Sequence, residues 1–578
     1  MGTFNWSNLN FCHDALRHNV DSHTEFSQRR DMKDTAHTMK LHQGLARALA
    51  AHQTTHLYGL VGDANLFMVD AYIEGSLGKY VACTHEANAV LAAIGFAQTT
   101  GRTGVATITH GPALTNVITP LAEAARGGIP LVVLCGDTKP GDLQHLQNID
   151  QREVVASTGA RFIEMRSPDT AIEDLSRAFR LAAHHRCPVV FNMRVDLMWE
   201  DLSPDIDAMP VPDFAAAPAS GDALEDAAGM LASARRPLIL AGRGACSPEA
   251  RAAMIELAAR IEAPLATTLK AQGLFEGEPF NIGICGGLSH PTATEVIMQS
   301  DCILAFGASL SKHTTEERAY TKGKRVVQIL PDAEETPRLD IPSVRIIGDI
   351  TGTARAFTEL LDMADIPGSG ATADLSEKLA AEAAAFATLP QAAPTAQGTV
   401  DMVPALRRLH QALPKDRVLV ADLGRFVTTA WRNLPVTRPA DLVYTSHFGA
   451  IGCGLGEAIG AATAITDRPT VLVAGDGGFT LSGLSELVTA VQQQADLIVI
   501  VCNDGSYGAE HVQFTNRNMN PELSMIARID FADTCATLGF ATVRVTDESS
   551  LNAACTAIAE RSKPLLIDLR LDPDKIEM

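Results

Sequence analysis

Short apolar runs bounded by Gly and Pro recur along this chain in three groups, and the residues between them carry helical spacing. From Lys40 to about Trp199 the runs are Gly104-Val105-Ala106-Thr107-Ile108, Leu131-Val132-Val133-Leu134 and Pro188-Val189-Val190-Phe191. A second group holds Pro237-Leu238-Ile239-Leu240, Cys302-Ile303-Leu304-Ala305-Phe306 and Val326-Val327-Gln328-Ile329-Leu330. A third holds Arg417-Val418-Leu419-Val420, Val471-Leu472-Val473-Ala474, Leu497-Ile498-Val499-Ile500-Val501 and Leu565-Leu566-Ile567-Asp568-Leu569. Runs without polar alternation are what strands covered on both faces look like, so the pattern predicts α/β architecture with three doubly wound parallel-sheet domains. Two passages interrupt it: Leu202–Gly221, rich in Pro, Asp and Ala, and Pro367–Gly398, rich in Ala, Pro, Gly and Thr. The expected division is a flexible arm at 1–36, a first domain at 37–205, a central domain at 222–365, a linker at 366–398 and a third domain at 399–578.

Composition narrows the function classes. With 46% hydrophobic and 20% charged residues, the chain suits large buried cores rather than disorder. Its net charge of −21 repels phosphate backbones and anionic lipid, which excludes nucleic acid and membrane surface as expected partners. The 11 cysteines are scattered without a Cys-x-x-Cys pair, as in a reduced compartment. No apolar stretch approaches the ~18–20 residues of a membrane span, and the start lacks signal-peptide order, so a cytoplasmic protein is expected.

Two constellations carry chemistry. The Val471–Ala474 strand runs into Gly475-Asp476-Gly477-Gly478; a helical pattern follows, then Leu497–Val501 ends in Cys502-Asn503-Asp504-Gly505-Ser506-Tyr507-Gly508. In a parallel sheet both segments end at one edge, which sets Asp476 and Asp504 across adjacent strand ends. Two carboxylates with a turn carbonyl, here that of Ser506, form a hard-oxygen set suited to Mg²⁺, and the glycines let backbone N–H groups close on a diphosphate. Taken alone, Gly-Asp-Gly is a turn. The second constellation is Thr84-His85-Glu86, opening a helix over Ala87–Gln98, followed by Thr107–Asn116 with His110 at a strand-end turn. By position alone Glu86 serves equally as first-turn helix stabilisation, and His110 as a turn residue.

Thr84-His85-Glu86-Ala87-Asn88-Ala89, the Thr109–Asn116 turn, Thr119-Pro120-Leu121-Ala122-Glu123-Ala124 with Gly128-Ile129-Pro130, and the Gly475…Asp504 pair together resemble the thiamine diphosphate-dependent acetolactate synthase-like enzymes over about residues 40–573. The resemblance implies pyrimidine-binding, central and diphosphate-binding domains in that order. It places Glu86 against the cofactor's aminopyrimidine ring, where its hydrogen bond favours deprotonation of the thiazolium carbon. Ile451 is implied as the apolar wedge between the two rings, with the Gly449 carbonyl accepting from the amino group. Asp476, Asp504 and the Ser506 carbonyl are the implied metal ligands. Gly477 and Gly478 are implied on diphosphate oxygens, with Gly475, Tyr507, Gly508 and the Gly424-Arg425 loop at the same end and Asn116 at the pyrimidine end. His110, Gln147 and Glu510 stand at substrate-side positions that vary with the reaction.

Some features depart from the family pattern. Many relatives have Asn-Asn where this chain has Asn503-Asp504, and a second carboxylate beside a diphosphate is expected to demand metal more strictly. Arg236–Gly244 has a nucleotide-loop look, yet Gly283–His290 lacks the Met-His-Gly run found beside the flavin of true acetolactate synthases, which counts against FAD. The implied activity is cleavage or formation of a C–C bond next to the carbonyl of a small 2-oxo acid or α-hydroxyketone. A non-oxidative 2-oxo acid decarboxylase, with Glu510 and His110 as proton donors, is the alternative; a cofactor-binding relative without turnover and a dinucleotide-binding protein are the others. The resemblance also implies a homodimer or homotetramer with the pyrimidine end on one chain and the diphosphate end on its partner.

Overall fold

The computed structural model describes residues 39–202, 208–212, 216–332, 341–562 and 564–575. The arm expected at 1–36 lies outside the described residues. Three six-stranded sheets, each parallel throughout, account for the three groups of apolar runs. The first is built from β1 (His56–Gly59), β2 (Lys79–Ala82), β3 (Gly104–Ile108), β4 (Leu131–Asp137), β5 (Arg161–Glu164) and β6 (Pro188–Arg194), in spatial order β2-β1-β3-β4-β6-β5. The central sheet comprises β7 (Pro237–Ala241), β8 (Leu265–Thr267), β9 (Asn281–Ile284), β10 (Cys302–Phe306), β11 (Arg325–Leu330) and β12 (Val344–Ile347), ordered β9-β8-β7-β10-β11-β12. The third comprises β13 (Val418–Ala421), β14 (Leu442–Tyr444), β15 (Thr470–Gly475), β16 (Leu497–Asn503), β17 (Ala541–Val545) and β18 (Leu565–Arg570), ordered β14-β13-β15-β16-β18-β17. The first and third sheets therefore share one strand order, and the central sheet has another.

The inner strands are buried along nearly all of their length because helices cover both faces, which is why their residues need no polar alternation. A short antiparallel pair, Met39–Lys40 with Asp201–Leu202, ties the start of the first domain to its end. Among the described residues no helix is long and apolar enough to cross a membrane, and the ten described cysteines are all free thiols.

Two passages gain detail beyond the sequence pattern. The 366–398 passage, expected as a linker, contains a helix, Leu375–Ala387, favoured by its alanines and anchored by buried Leu375 and by Lys378–Glu295 at 2.7 Å. The nucleotide-loop look of Arg236–Gly244 has a packing reason. At the switch between β7 and β10, Gly242 N–H donates to the Phe306 carbonyl at 2.8 Å and Gly244 N–H to the Gly307 carbonyl at 3.1 Å. A Cβ on Gly242 would overlap the Gly307 backbone, so these glycines let two strand ends meet.

The feature that positions the site is the packing of α1 (Glu86–Thr100) on α3 (Gly454–Ala464); α2 (Ile118–Gly127) lies between them in sequence. α1 follows the second strand of the first domain and α3 the second strand of the third, so equivalent helices meet. Contact is backbone to backbone: a Cβ on Gly95 would overlap the Glu457 carbonyl, and one on Gly460 the Ala92 carbonyl. Tyr58 Oη, 2.9 Å from Thr463 Oγ1, and Gln98 Nε2, donating to Glu457 Oε2 at 2.9 Å, flank the seam.

Candidate active site

Three neighbouring strand ends form the floor. The pairing of Gly475 with Cys502 in β15 and β16 brings Asp476 and Asp504 side by side. Asp476 Oδ1 accepts the Gly477 N–H at 2.9 Å and its Oδ2 the Gly505 N–H at 2.7 Å. Burial, reinforced by the Asp504 charge, pushes the Asp476 carboxyl up to about 7. Asp504 Oδ1 accepts both the amide (2.9 Å) and the hydroxyl (2.7 Å) of Ser506. At the end of β13, fully buried Asp422 accepts the Leu423 N–H at 2.8 Å and the Gly452 N–H at 2.9 Å, and burial raises it to about 6.

The glycines of this floor are glycines for want of space. A Cβ on Gly477 would lie 2.8 Å from the Tyr507 ring, and one on Gly478 would lie 2.9 Å from Asp422 Oδ2. Ile451 stands beside them, its Cβ 3.6 Å from that same point on Gly478. It follows Gly449, whose φ of 81° is in the left-handed region that only glycine occupies freely. Gly475 and Gly424 both border the Phe426 ring, and Gly508 borders the Arg425 guanidinium. Among the described residues no three His, Cys, Asp or Glu side chains gather around one point. Asp476 and Asp504 are the two carboxylates that meet at this floor.

The first domain supplies the roof. His85 caps α1 by accepting the Ala87 N–H at 3.0 Å, which places Glu86 in the first turn; Glu86 Oε2 accepts from Asn116 Nδ2 at 2.9 Å. Two residues along α1, Asn88 Nδ2 donates to the Ser482 carbonyl, and Ser482 Oγ donates to the Gly452 carbonyl, both at 2.9 Å. Asn88, two residues from Glu86, is thereby connected to the turn that carries Ile451. The resemblance implies that these two halves come from different chains; within this chain the packing of α1 on α3 brings the first and third domains into contact.

The substrate-side residues separate into two places. His110 is buried, its Nδ1 3.4 Å from Asp63 Oδ1, while Thr109 Oγ1 donates to the same Asp63 oxygen at 3.0 Å. Burial pulls the His110 imidazole below its ordinary value, against the opposing pull of Asp63. His110 Nε2 and Gln147 Oε1 are buried without hydrogen-bond partners among the described residues. Glu510, exposed in the first turn of the helix Gly508–Asn516, makes no hydrogen bond or ion pair with the His110 group.

Two acidic residues not named as site candidates from the sequence also lie near these groups. Asp63 occupies the Gly62-Asp63-Ala64-Asn65 turn after β1; an acidic residue at a strand end was the available signal. Glu123 on α2, fully buried, accepts the His447 N–H at 2.7 Å and the Phe448 N–H at 2.6 Å, and so holds the segment leading into Gly449. Nothing local in the sequence announces that contact.

Comparison with known proteins identifies the three domains. Residues 39–154 match the thiamine pyrophosphate enzyme N-terminal TPP binding domain, 224–357 the central domain and 422–569 the C-terminal TPP binding domain, thiamine pyrophosphate being another name for thiamine diphosphate. The chain belongs to the thiamine pyrophosphate-dependent, acetolactate synthase-like enzyme family, whose members act on carbonyl compounds. It is 26% identical to the acetolactate synthase isozyme 2 large subunit of Escherichia coli over 540 residues, 92% of this chain and 95% of that one. The isozyme 1 large subunit of the same organism is 24% identical over 529 residues, 89% and 91% of the two chains. A Pseudomonas aeruginosa protein described as "Probable 2-ketoarginine decarboxylase AruI" is 26% identical over 548 residues, 92% and 94%.

Proposed function

We propose that this enzyme uses thiamine diphosphate and Mg²⁺ to cleave or form the C–C bond next to the carbonyl of a 2-oxo acid or an α-hydroxyketone. The observation that carries the reading is the packing of α1, which opens with Glu86, on α3, which follows the Ile451 turn, beside a floor of glycines and paired carboxylates. The residues present fit such a cofactor: Asp476 and Asp504 stand at adjacent strand ends beside the Gly477–Gly478 turn, and Asp476, whose carboxyl is pushed up to about 7 by burial and the Asp504 charge, calls for a cation. Asp476, Asp504 and the Ser506 carbonyl would hold Mg²⁺; Gly477 and Gly478 would face the diphosphate.

When bound, the cofactor supplies a carbon nucleophile and an electron sink for the substrate's carbonyl carbon. Glu86 holds a proton at the pyrimidine end, and Asn116 fixes its carboxylate. Ile451, set by the Gly449 turn, fills the space between the two ends. His110 offers Nε2 to substrate, while its Nδ1 lies 3.2 Å from Thr109 Oγ1, which donates to Asp63, so Nε2 can take up or release a proton while Thr109 and Asp63 steady the ring.

A 2-oxo acid decarboxylase is the second reading, favoured by buried His110 beside exposed Asp63 and by the decarboxylase-named relative. The apolar side chains left exposed by the site, Leu481 at 67% and Leu523 at 74%, support assembly into a homodimer or homotetramer.

The deciding experiment incubates the protein with thiamine diphosphate, Mg²⁺ and a panel of 2-oxo acids and acyloins, following CO₂, aldehydes and coupled products by mass spectrometry. Coupled or split products that require both additions support the reading. CO₂ and aldehyde alone point to the decarboxylase, and no turnover by cofactor-loaded protein across the panel overturns both.

A further inference from the structure

The second carboxylate of the floor is not left to a metal ion alone. Arg425, in the loop after β13, reaches across the end of β15 to Asp504 after β16, with Nη2 2.5 Å from Asp504 Oδ2. Both residues are buried, at 6% and 7% exposure, so the pair is shielded from solvent screening and each charge depends on the other. Arg425 Nη1 donates to the Pro573 carbonyl at 2.8 Å, which fixes the guanidinium from its far side. Gly508 makes room for it: a Cβ there would lie 2.7 Å from Arg425 Nε. That Nε is the one donor nitrogen of the guanidinium buried without a hydrogen-bond partner among the described residues, and it lies next to the Tyr507-Gly508 segment that borders the Gly477 cradle.

We propose that Arg425 is a specificity-determining residue of the cofactor site: it neutralises Asp504, so that the pair carries the charge of the asparagine many relatives hold at this position, and it keeps Nε–H free as a donor toward the diphosphate. This rests on the thiamine diphosphate reading given above. It also reverses the expectation drawn from Asn503-Asp504 in the sequence. The extra carboxylate does not raise the demand for metal, because its charge is already matched inside the protein. A fixed guanidinium and carboxylate suit this task, since the planar fork loses little freedom on pairing and leaves one N–H in a defined direction.

The test titrates thiamine diphosphate into the apo full-length protein by calorimetry across a series of Mg²⁺ concentrations, for wild type, R425Q, D504N and the double variant. R425Q leaves Asp504 unpaired beside the diphosphate, and it should need at least roughly tenfold more Mg²⁺ for the same affinity. D504N should need less Mg²⁺ than wild type. Adding D504N to R425Q should bring the Mg²⁺ requirement back to within about threefold of wild type, since the shared charge term is gone. An unchanged Mg²⁺ dependence in R425Q, or no recovery in the double variant, overturns the proposal. Should R425Q fail to fold by near-ultraviolet circular dichroism, D504N decides: a requirement equal to or above that of wild type overturns it. Wild type that binds no thiamine diphosphate at any Mg²⁺ concentration refutes the cofactor reading instead. The ion pair is then still tested by whether D504N restores the thermal stability lost in R425Q.

Discussion

Glu123 of the first domain accepts the backbone N–H of His447 in the third at 2.7 Å, and its Oε1 lies at the same distance from His447 Nδ1. A side chain on α2 thereby fixes the backbone that leads into Gly449 and Ile451. Burial pushes the His447 imidazole down to about 4, so it sits neutral against Glu123. Replacing Glu123 with alanine strands two buried N–H groups, at about 1–3 kcal/mol of stability, and frees the Ile451 turn. Thermal unfolding should show that loss, and thiamine diphosphate binding by E123A should weaken even where the protein remains folded. E123Q, which keeps an acceptor oxygen, should lie between E123A and wild type in both measurements.

Glu86→Gln separates binding from chemistry. The amide keeps the size of the side chain but cannot hold the proton in the same way. The variant should fold, bind thiamine diphosphate, and lose about two or more orders of magnitude in turnover, within the ~10²–10⁴ of general acid–base catalysis. Turnover near wild type would remove Glu86 from the assignment.

The contact between α1 and α3 has no slack. Gly95→Ala or Gly460→Ala introduces a methyl against a backbone carbonyl, and overpacking of this kind costs about 1–3 kcal/mol. The larger effect should fall on catalysis, because the helix that is pushed away carries Glu86. Each variant should show turnover reduced more steeply than its melting temperature predicts, while Gly229→Ala, at a position with open space around it, should change neither.

Lys270 offers a pH test at the junction of the three domains. Its ammonium lies over the Tyr444 ring at 4.5 Å, and burial, helped by the Arg243 charge, holds it down to about 7 from 10.5, with Glu123 opposing. Between those values the unfolded chain binds a proton that the folded chain does not, so stability rises with pH across the window; below about 7 both bind it and the cost is fully present. K270M should raise the melting temperature at pH 7 by roughly 2–4 °C, and the gain should fade toward pH 10. A gain that is constant with pH would remove the charge from the explanation.

What the sequence made legible is what local pattern controls. Val471–Ala474 and Leu497–Val501 read as buried strands because strands covered on both faces are apolar throughout, and their Gly-Asp and Asn-Asp endings follow the strands directly. Once those strands are parallel neighbours, Asp476 and Asp504 must adjoin. The Arg425–Asp504 pair was not legible, because it depends on β13 lying on the far side of β15 from β16 and on a loop crossing between them. Asp63 and His110 likewise meet only through the adjacency of β1 and β3. The helix at Leu375–Ala387 was hidden by composition: the alanines that favour it are the same residues that make the passage look like low-complexity linker.

The shared strand order of the first and third sheets has a consequence for how copies of this chain relate to one another. Gln98 and Glu457, which meet across the α1–α3 seam, are 359 residues apart, with a whole domain and two connecting passages between them. Nothing in the seam records which chain the third domain comes from, so a second copy can offer the same α3 to the same α1, and two chains can trade third domains while every site keeps its contacts. Closed single chains and traded pairs then differ in their response to dilution rather than in local structure. A site closed within one chain keeps its specific activity as the protein is diluted, whereas a traded one loses activity as its partners separate.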